Sequence, residues 1–248
     1  MTNPFSLEGK SIFVTGASSG IGRAIAIECS KMGATMLITA RNEERLNETM
    51  RQLHGNGHES FCVEMTDEKS VERLVEELGE LDGVVLCAGK AMTLPFQFNT
   101  GEKVKDIFEV NFFAQVNLLR LLYKKKLVKK EGSIVIISSI AGNYDISIGH
   151  SAYGSSKAAI NTMMKYCAKE FAVRKIRVNS ICPGMVETPL IHRGTVSDEQ
   201  LEKDKANYLL KRYGKPEDIA FAAIYLLSDA ASWVTGQDLR IDGGVYLN

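Results

Sequence analysis

The sequence predicts an α/β protein built on a doubly wound, parallel β-sheet of about seven strands with helices on both faces. Three observations predict it. Short β-branched runs alternate with longer segments of helical period along the chain. The runs are nearly continuous in apolar residues, as in "SIVIIS", which is how strands buried on both faces read. Neither internal repeats nor low-complexity linkers divide the chain, so residues 1–248 are read as a single domain.

In chain order, Ser11–Thr15 is the first expected strand and Ile21–Met32 the first helix. Thr35–Thr39 pairs with a helix over Glu43–Leu53, and Ser60–Val63 with one over Asp67–Leu78. Gly83–Cys87 leads to a long helix, Lys103–Lys126, and Ser133–Ser138 to another, Ala152–Val173. Arg177–Ile181 is the sixth strand, and Asp238–Ile241 the last. The helix before it, Pro216–Ser228, opens with proline, whose missing N–H is harmless there, and with Glu217 and Asp218 in its first turn. In such a sheet the ligand crevice lies outside the carboxyl ends of the strands, so polar residues just past strand ends are the functional candidates.

Composition narrows the function. Thirty basic residues balance thirty acidic ones, which argues against a nucleic-acid or membrane-surface partner. No apolar run approaches the length of a membrane span, and the start, "MTNPFSLEGK", lacks a signal-peptide pattern. Cys29, Cys62, Cys87, Cys167 and Cys182 form no C-x-x-C pair, and the four histidines are scattered, so no metal site is expected. A reduced, cytoplasmic enzyme or binding protein fits these features.

Gly16, Gly20 and Gly22 in "TGASSGIGRAIA" follow the first strand and open the first helix. Glycines allow close backbone approach, and a helix N-terminus offers unpaired N–H groups to a pyrophosphate. Ser18, Ser19 and Ile21 share this loop. Alone, the loop fits a strand-to-helix turn as well as a phosphate cradle.

A second group decides the chemistry. In "SAYGSSK", Tyr153 and Lys157 are one helical turn apart and share a face. Ser139 lies just past the fifth strand, at the crevice edge. A free tyrosine is a poor acid or base at neutral pH, and a nearby ammonium is expected to lower its pKa. The phenol can then pass a proton to a carbonyl oxygen while hydride reaches the carbon, and Ser139 can hold that oxygen.

Together these elements resemble the short-chain dehydrogenase/reductase family, whose T-G-x-x-x-G-I-G and S…Y-x-x-x-K motifs appear here intact. The matching motifs span residues 15 to 244, essentially the whole chain. The resemblance implies a Rossmann-type fold and a catalytic set of Asn111, Ser139, Tyr153 and Lys157. It further places Pro183, Gly184, Val186 and Thr188 of "CPGMVETP" against the nicotinamide, with Tyr153 and Lys157 also touching the cofactor. Where relatives carry N-A-G this chain has Cys87-Ala88-Gly89, and where they often carry D-x-T near the adenine it has Glu64-Met65-Thr66.

The second strand ends at Ala40 and Arg41, without the carboxylate that holds ribose hydroxyls in NAD sites. Arg41 offers a guanidinium suited to a 2′-phosphate, so NADP(H) is expected over NAD(H). The alternative reading is that Arg41 merely precedes a helix capped by Asn42, with Glu43 and Glu44 diluting its charge.

The pattern is similar to 3-oxoacyl-[acyl-carrier-protein] reductases. This implies a carbonyl reductase, with 3-oxoacyl thioesters on an acyl carrier protein among its substrates and Lys129, Lys130 and Arg174 near the docking positions, although an ordinary solvated lysine face accounts for those residues at least as well. Dehydrogenation of a sugar, polyol or steroid alcohol would use the same residues, and a non-catalytic cofactor-binding regulator would use the same fold. The substrate loop is expected over Leu190–Tyr208, including His192 and Arg193. Relatives imply a homotetramer built through the two long helices and the carboxyl-terminal strand.

Overall fold

A computed structural model describes residues 3–189, 191 and 197–247. The strands are β1 (Ser11–Thr15), β2 (Thr35–Ala40), β3 (Glu59–Cys62), β4 (Leu81–Leu86), β5 (Val128–Ile137), β6 (Arg177–Pro183) and β7 (Asp238–Ile241). They form one parallel sheet in the order β3-β2-β1-β4-β5-β6-β7. The chain steps outward from β1 to β3, then crosses back to place β4 on the other side of β1. The loops after β1 and β4 therefore diverge, and a crevice opens between them at the carboxyl edge.

The helices are α1 (Gly20–Lys31), α2 (Glu43–Met50), α3 (Glu68–Glu77), α4 (Gly101–Phe108), α5 (Ala114–Lys124), α6 (Ile140–Asn143), α7 (Ser151–Phe171), α8 (Asp198–Lys205) and α9 (Pro216–Leu227). Within the continuous apolar runs, alternate residues serve opposite faces of the sheet. Ile12, Val14, Val135 and Ile137 pack with α1 and α9, through Ile25, Cys29, Ala223 and Ile224. Phe13, Ile134 and Ile136 pack with α3, α5 and α7, through Leu74, Leu118, Ile160 and Met164. Two cores hold the crevice-forming strand ends in fixed register.

Three expectations are corrected. The helix expected over Lys103–Lys126 is two helices, α4 and α5, joined by a π-helical turn at Glu109–Phe113. Helical periodicity alone does not reveal the extra residue that such a turn accommodates. β5 begins at Val128 rather than Ser133, with an irregular register against β4 where Glu131 adopts a φ of 66°. Part of the expected substrate loop is helical: α8 opens with a capping box between Ser197 and Gln200. Its S-x-x-Q signature is readable in sequence. Leu190, His192 and Arg193 lie outside the described residues.

Candidate active site

The crevice is organised from β1 outward. The Thr15 hydroxyl accepts from Cys87 N at 2.9 Å and Ala88 N at 3.0 Å, tying the end of β1 to the loop after β4. Gly16, with φ 70°, lies so close that an added Cβ would stand 2.9 Å from the Ala88 backbone. A Cβ on Gly22 would meet Gly16 O at 2.4 Å. These two glycines are required by close approach, not merely by a turn. Ser19 is the N-cap of α1 but makes no side-chain bond to it. The N–H groups of the first turn are thus left for a ligand.

From this loop the cleft runs in two directions. Toward the β3 edge it is walled by Arg41, Arg45, Glu64 and Met65; across the loop after β4 it passes Cys87, Ala88, Gly89 and Lys90. Ser18, Ser19, Gly20 and Ile21 form its floor, and Tyr153, Lys157, Thr188 and Pro189 its far end. The donor groups of this cradle fit a dinucleotide: backbone exposed by glycine, an open helix N-terminus and guanidinium groups at one end.

At the far end, Ser139 follows the lining residue Ser138 and caps α6, its Oγ accepting from Ala141 N at 3.2 Å. Tyr153, in the first turn of α7, is hydrogen-bonded to the Ser139 hydroxyl. Lys157 is buried one turn on, with Nζ donating to Ile137 O at 3.0 Å and lying 5.9 Å from the centre of the Tyr153 ring. Burial pushes the Tyr153 phenol above its ordinary pKa, outweighing the downward pull of the Ser139 bond. Burial likewise brings Lys157 down to about 8. The expected lowering of Tyr153 by the lysine is therefore reversed: losing water costs the phenolate more than the neighbours return. Near neutral pH this leaves a neutral phenol, able to donate, beside a lysine that still carries its proton.

Asn111 occupies the π turn, fully buried. Its Oδ1 accepts from Lys90 N at 2.9 Å, and its Nδ2 donates to Lys90 O at 2.9 Å and to Ser156 Oγ at 3.1 Å. A Cβ on Gly89 would fall 3.2 Å from Asn111 Oδ1 and 3.5 Å from Lys157 Nζ, so these groups converge on Gly89. Asn111 braces the floor under Lys157 and does not line the cleft. Cys87 supplies its backbone N–H to Thr15, while burial pushes its thiol up to about 12, a neutral packing group.

Three residues expected at the nicotinamide lie off the lining. Pro183 is in register with Ile241, Gly184 N donates to Ile241 O at 3.0 Å, and Val186 is buried in a bridge with Gly214. Thr188 does reach the cleft, with its Cγ2 3.1 Å from where a Cβ on Gly20 would sit.

The adenosine end also differs from expectation. No carboxylate stands at the end of β2, but the fold brings Glu64 from beyond β3 to within 3.7 Å of Arg41. Arg23 and Arg45, unmarked by any motif, belong to this end. Of the basic residues expected to dock a carrier, Lys129 is held by Asp82 at 2.9 Å, and Arg174 lies 6.0 Å over the Tyr123 ring. Among the described residues no cluster has metal-ligand composition, and no helix is long and apolar enough to cross a membrane.

Comparison with known proteins agrees with this geometry. A family profile described as Enoyl-(Acyl carrier protein) reductase matches residues 16–246. The chain is 33% identical over 247 residues to a 3-oxoacyl-[acyl-carrier-protein] reductase of Thermotoga maritima, covering 97% of this chain and 99% of that one. A structure described as a putative NAD(P) dependent gluconate 5-dehydrogenase from Beutenbergia cavernae, with bound NADP, superimposes with a TM-score of 0.89 at 31% identity, covering 99% and 100% of the two chains. A 7α-hydroxysteroid dehydrogenase complexed with NADH and a 7-oxo bile acid gives 0.89 at 31% identity, covering 98% of each.

Proposed function

The chain belongs to the short-chain dehydrogenase/reductase family, NAD(P)-dependent oxidoreductases acting on CH–OH groups, and on that premise we propose that it reduces a carbonyl to a secondary alcohol with NADP(H). One observation carries the reading: a half-buried, neutral Tyr153 bonded to Ser139 at the end of a glycine-floored cleft, with the buried Lys157 behind it. A bound nicotinamide would supply hydride to the carbonyl carbon. Gly16, Gly20 and the start of α1 would hold its pyrophosphate, and Arg41 its 2′-phosphate. Ser139 Oγ fixes the carbonyl oxygen, and Tyr153 passes its proton to that oxygen as negative charge grows there. The proton on Lys157 offsets the charge left on the phenolate and, with Asn111 bracing the lysine's surroundings, refills it.

The leading substrate class is a 3-oxoacyl thioester, after the Thermotoga maritima relative, a 3-oxoacyl-[acyl-carrier-protein] reductase. A second reading, oxidation of a steroid-like alcohol, has its own support. Ile146 and Ile148, between Ser139 and Tyr153, and Phe96 opposite are 92%, 95% and 81% exposed. The two segments are joined by Leu94 N donating to Gly149 O at 2.8 Å. Such a rim suits a substrate with an apolar body better than a free sugar acid. Large exposed side chains beside the long helices and β7, Phe113, Tyr166 and Trp233, support assembly as a homotetramer.

The test follows NADPH and NADH oxidation against acetoacetyl thioesters, oxo-steroids and keto-sugars. Turnover with Ser139→Ala or Tyr153→Phe at the wild-type rate would overturn the catalytic assignment. Absence of any turnover, with NADPH still bound, would favour a regulatory protein.

A further inference from the structure

Arg45 lies in the first turn of α2, with its backbone nitrogen bonded to Asn42 Oδ1 at 2.9 Å. Its carbonyl accepts from Arg23 Nη2 at 3.1 Å. Arg23 is a clamp: it also donates to Ser18 O at 2.7 Å and Thr49 Oγ1 at 3.0 Å, and pairs with Glu48 at 2.9 Å. Thr49 donates in turn to Ala17 O at 2.9 Å. The start of α2 is thereby bolted to the glycine loop, and Arg45 is held as part of the cleft wall.

Its guanidinium differs from that of Arg41 in two ways. Arg41 has a side chain 71% exposed and is paired with Glu64, so water and a carboxylate both weaken its pull on an anion. Arg45 is half-buried, and its Nε is sealed from solvent without a hydrogen-bond partner. Glu48 is taken by Arg23 and Glu64 by Arg41, and among the described residues no carboxylate pairs with Arg45. A buried charged donor without an acceptor is costly until something accepts from it. A phosphate on the ribose is an acceptor matched to the planar guanidinium fork in both charge and shape.

We propose that Arg45 is the principal specificity-determining residue for the cofactor's 2′-phosphate, with Arg41 the outer and weaker contact. This rests on the NADP(H) reading above, and the test separates the two. Calorimetric titration with 2′,5′-ADP and with 5′-ADP needs no turnover. Wild-type protein is expected to prefer 2′,5′-ADP. Arg45→Met should weaken 2′,5′-ADP by about 10- to 100-fold, the value of a charged hydrogen bond, and leave 5′-ADP unchanged. Arg45→Lys should recover part of the loss, and Arg41→Met should lose less than Arg45→Met. Circular dichroism and melting confirm that each variant is folded. If Arg45→Met keeps the wild-type affinity for 2′,5′-ADP, or weakens both ligands equally, Arg45 is rejected and the NADP(H) reading stands. If wild-type protein binds both ligands equally, that reading falls and takes this one with it.

Discussion

The two ends of the cleft solve opposite problems. At the proton-transfer end Lys157 is buried, Ser139 and Tyr153 are half-buried, and all three are bonded to one another or to the backbone of Ile137. At the adenosine end Arg41 and Glu64 stand largely in solvent, 3.7 Å apart. Desolvation is the largest influence on the protonation of the first end. The second end is a balance of screened charges that single side chains can tip. Reaction class is therefore held rigidly in this molecule, and cofactor preference loosely.

The largest effects should follow from breaking the buried end. Tyr153→Phe removes the proton donor and should cut kcat by about 100- to 10,000-fold, the usual worth of a positioned acid, with NADPH affinity little changed. Stopped-flow titration of cofactor fluorescence separates the two. Lys157→Met should also lose most activity, yet its melting temperature should hold or rise, because the buried ammonium opposes folding. The sign follows from Lys157 titrating at about 8 when folded against 10.5 unfolded. Between those pH values the unfolded chain binds a proton that the folded one releases, so this group makes stability rise with pH across the window. The same titration should make kcat/KM for carbonyl reduction fall above about pH 8, and a pH–rate profile flat to pH 10 would remove Lys157 from the relay.

Effects should diminish toward the adenosine end. Gly16→Ala forces a Cβ within 2.9 Å of Ala88 in a left-handed conformation, and should cost about 1–3 kcal/mol of stability together with cofactor affinity, read by thermal melts with and without NADPH. Glu64→Gln should be the mildest change. By freeing Arg41 it should tighten NADPH several-fold at low salt and scarcely alter NADH, and equal tightening of both would contradict the charge-balance view.

How much of this was legible in the sequence depends on the kind of interaction. The strand order of the motifs, the glycine loop and Ser139, Tyr153 and Lys157 were readable because each depends on local spacing or on a strand end. Thr15 reaching Cys87 and Ala88, and Asn111 reaching Lys90, were not, since these are long-range hydrogen bonds with no local pattern. The π turn under Asn111 was hidden inside an unbroken helical period. The helix after Ser197 carries its capping signal openly, but it falls where the resemblance implies a substrate loop.

By itself the sequence determined the doubly wound sheet and the residue types available for hydride-linked proton transfer. Those follow from periodicity, strand-end position and a tyrosine one helical turn from a lysine. Only the tertiary structure decided how those groups ionise and which charges meet at the other end. It buries Lys157 behind a half-buried Tyr153, raising the phenol's pKa where a lowering was expected, and it carries Glu64 to Arg41 while leaving Arg45 Nε without a partner. The reason is physical: a pKa or an ion pair depends on distance and hydration, and neither is a property of the linear chain.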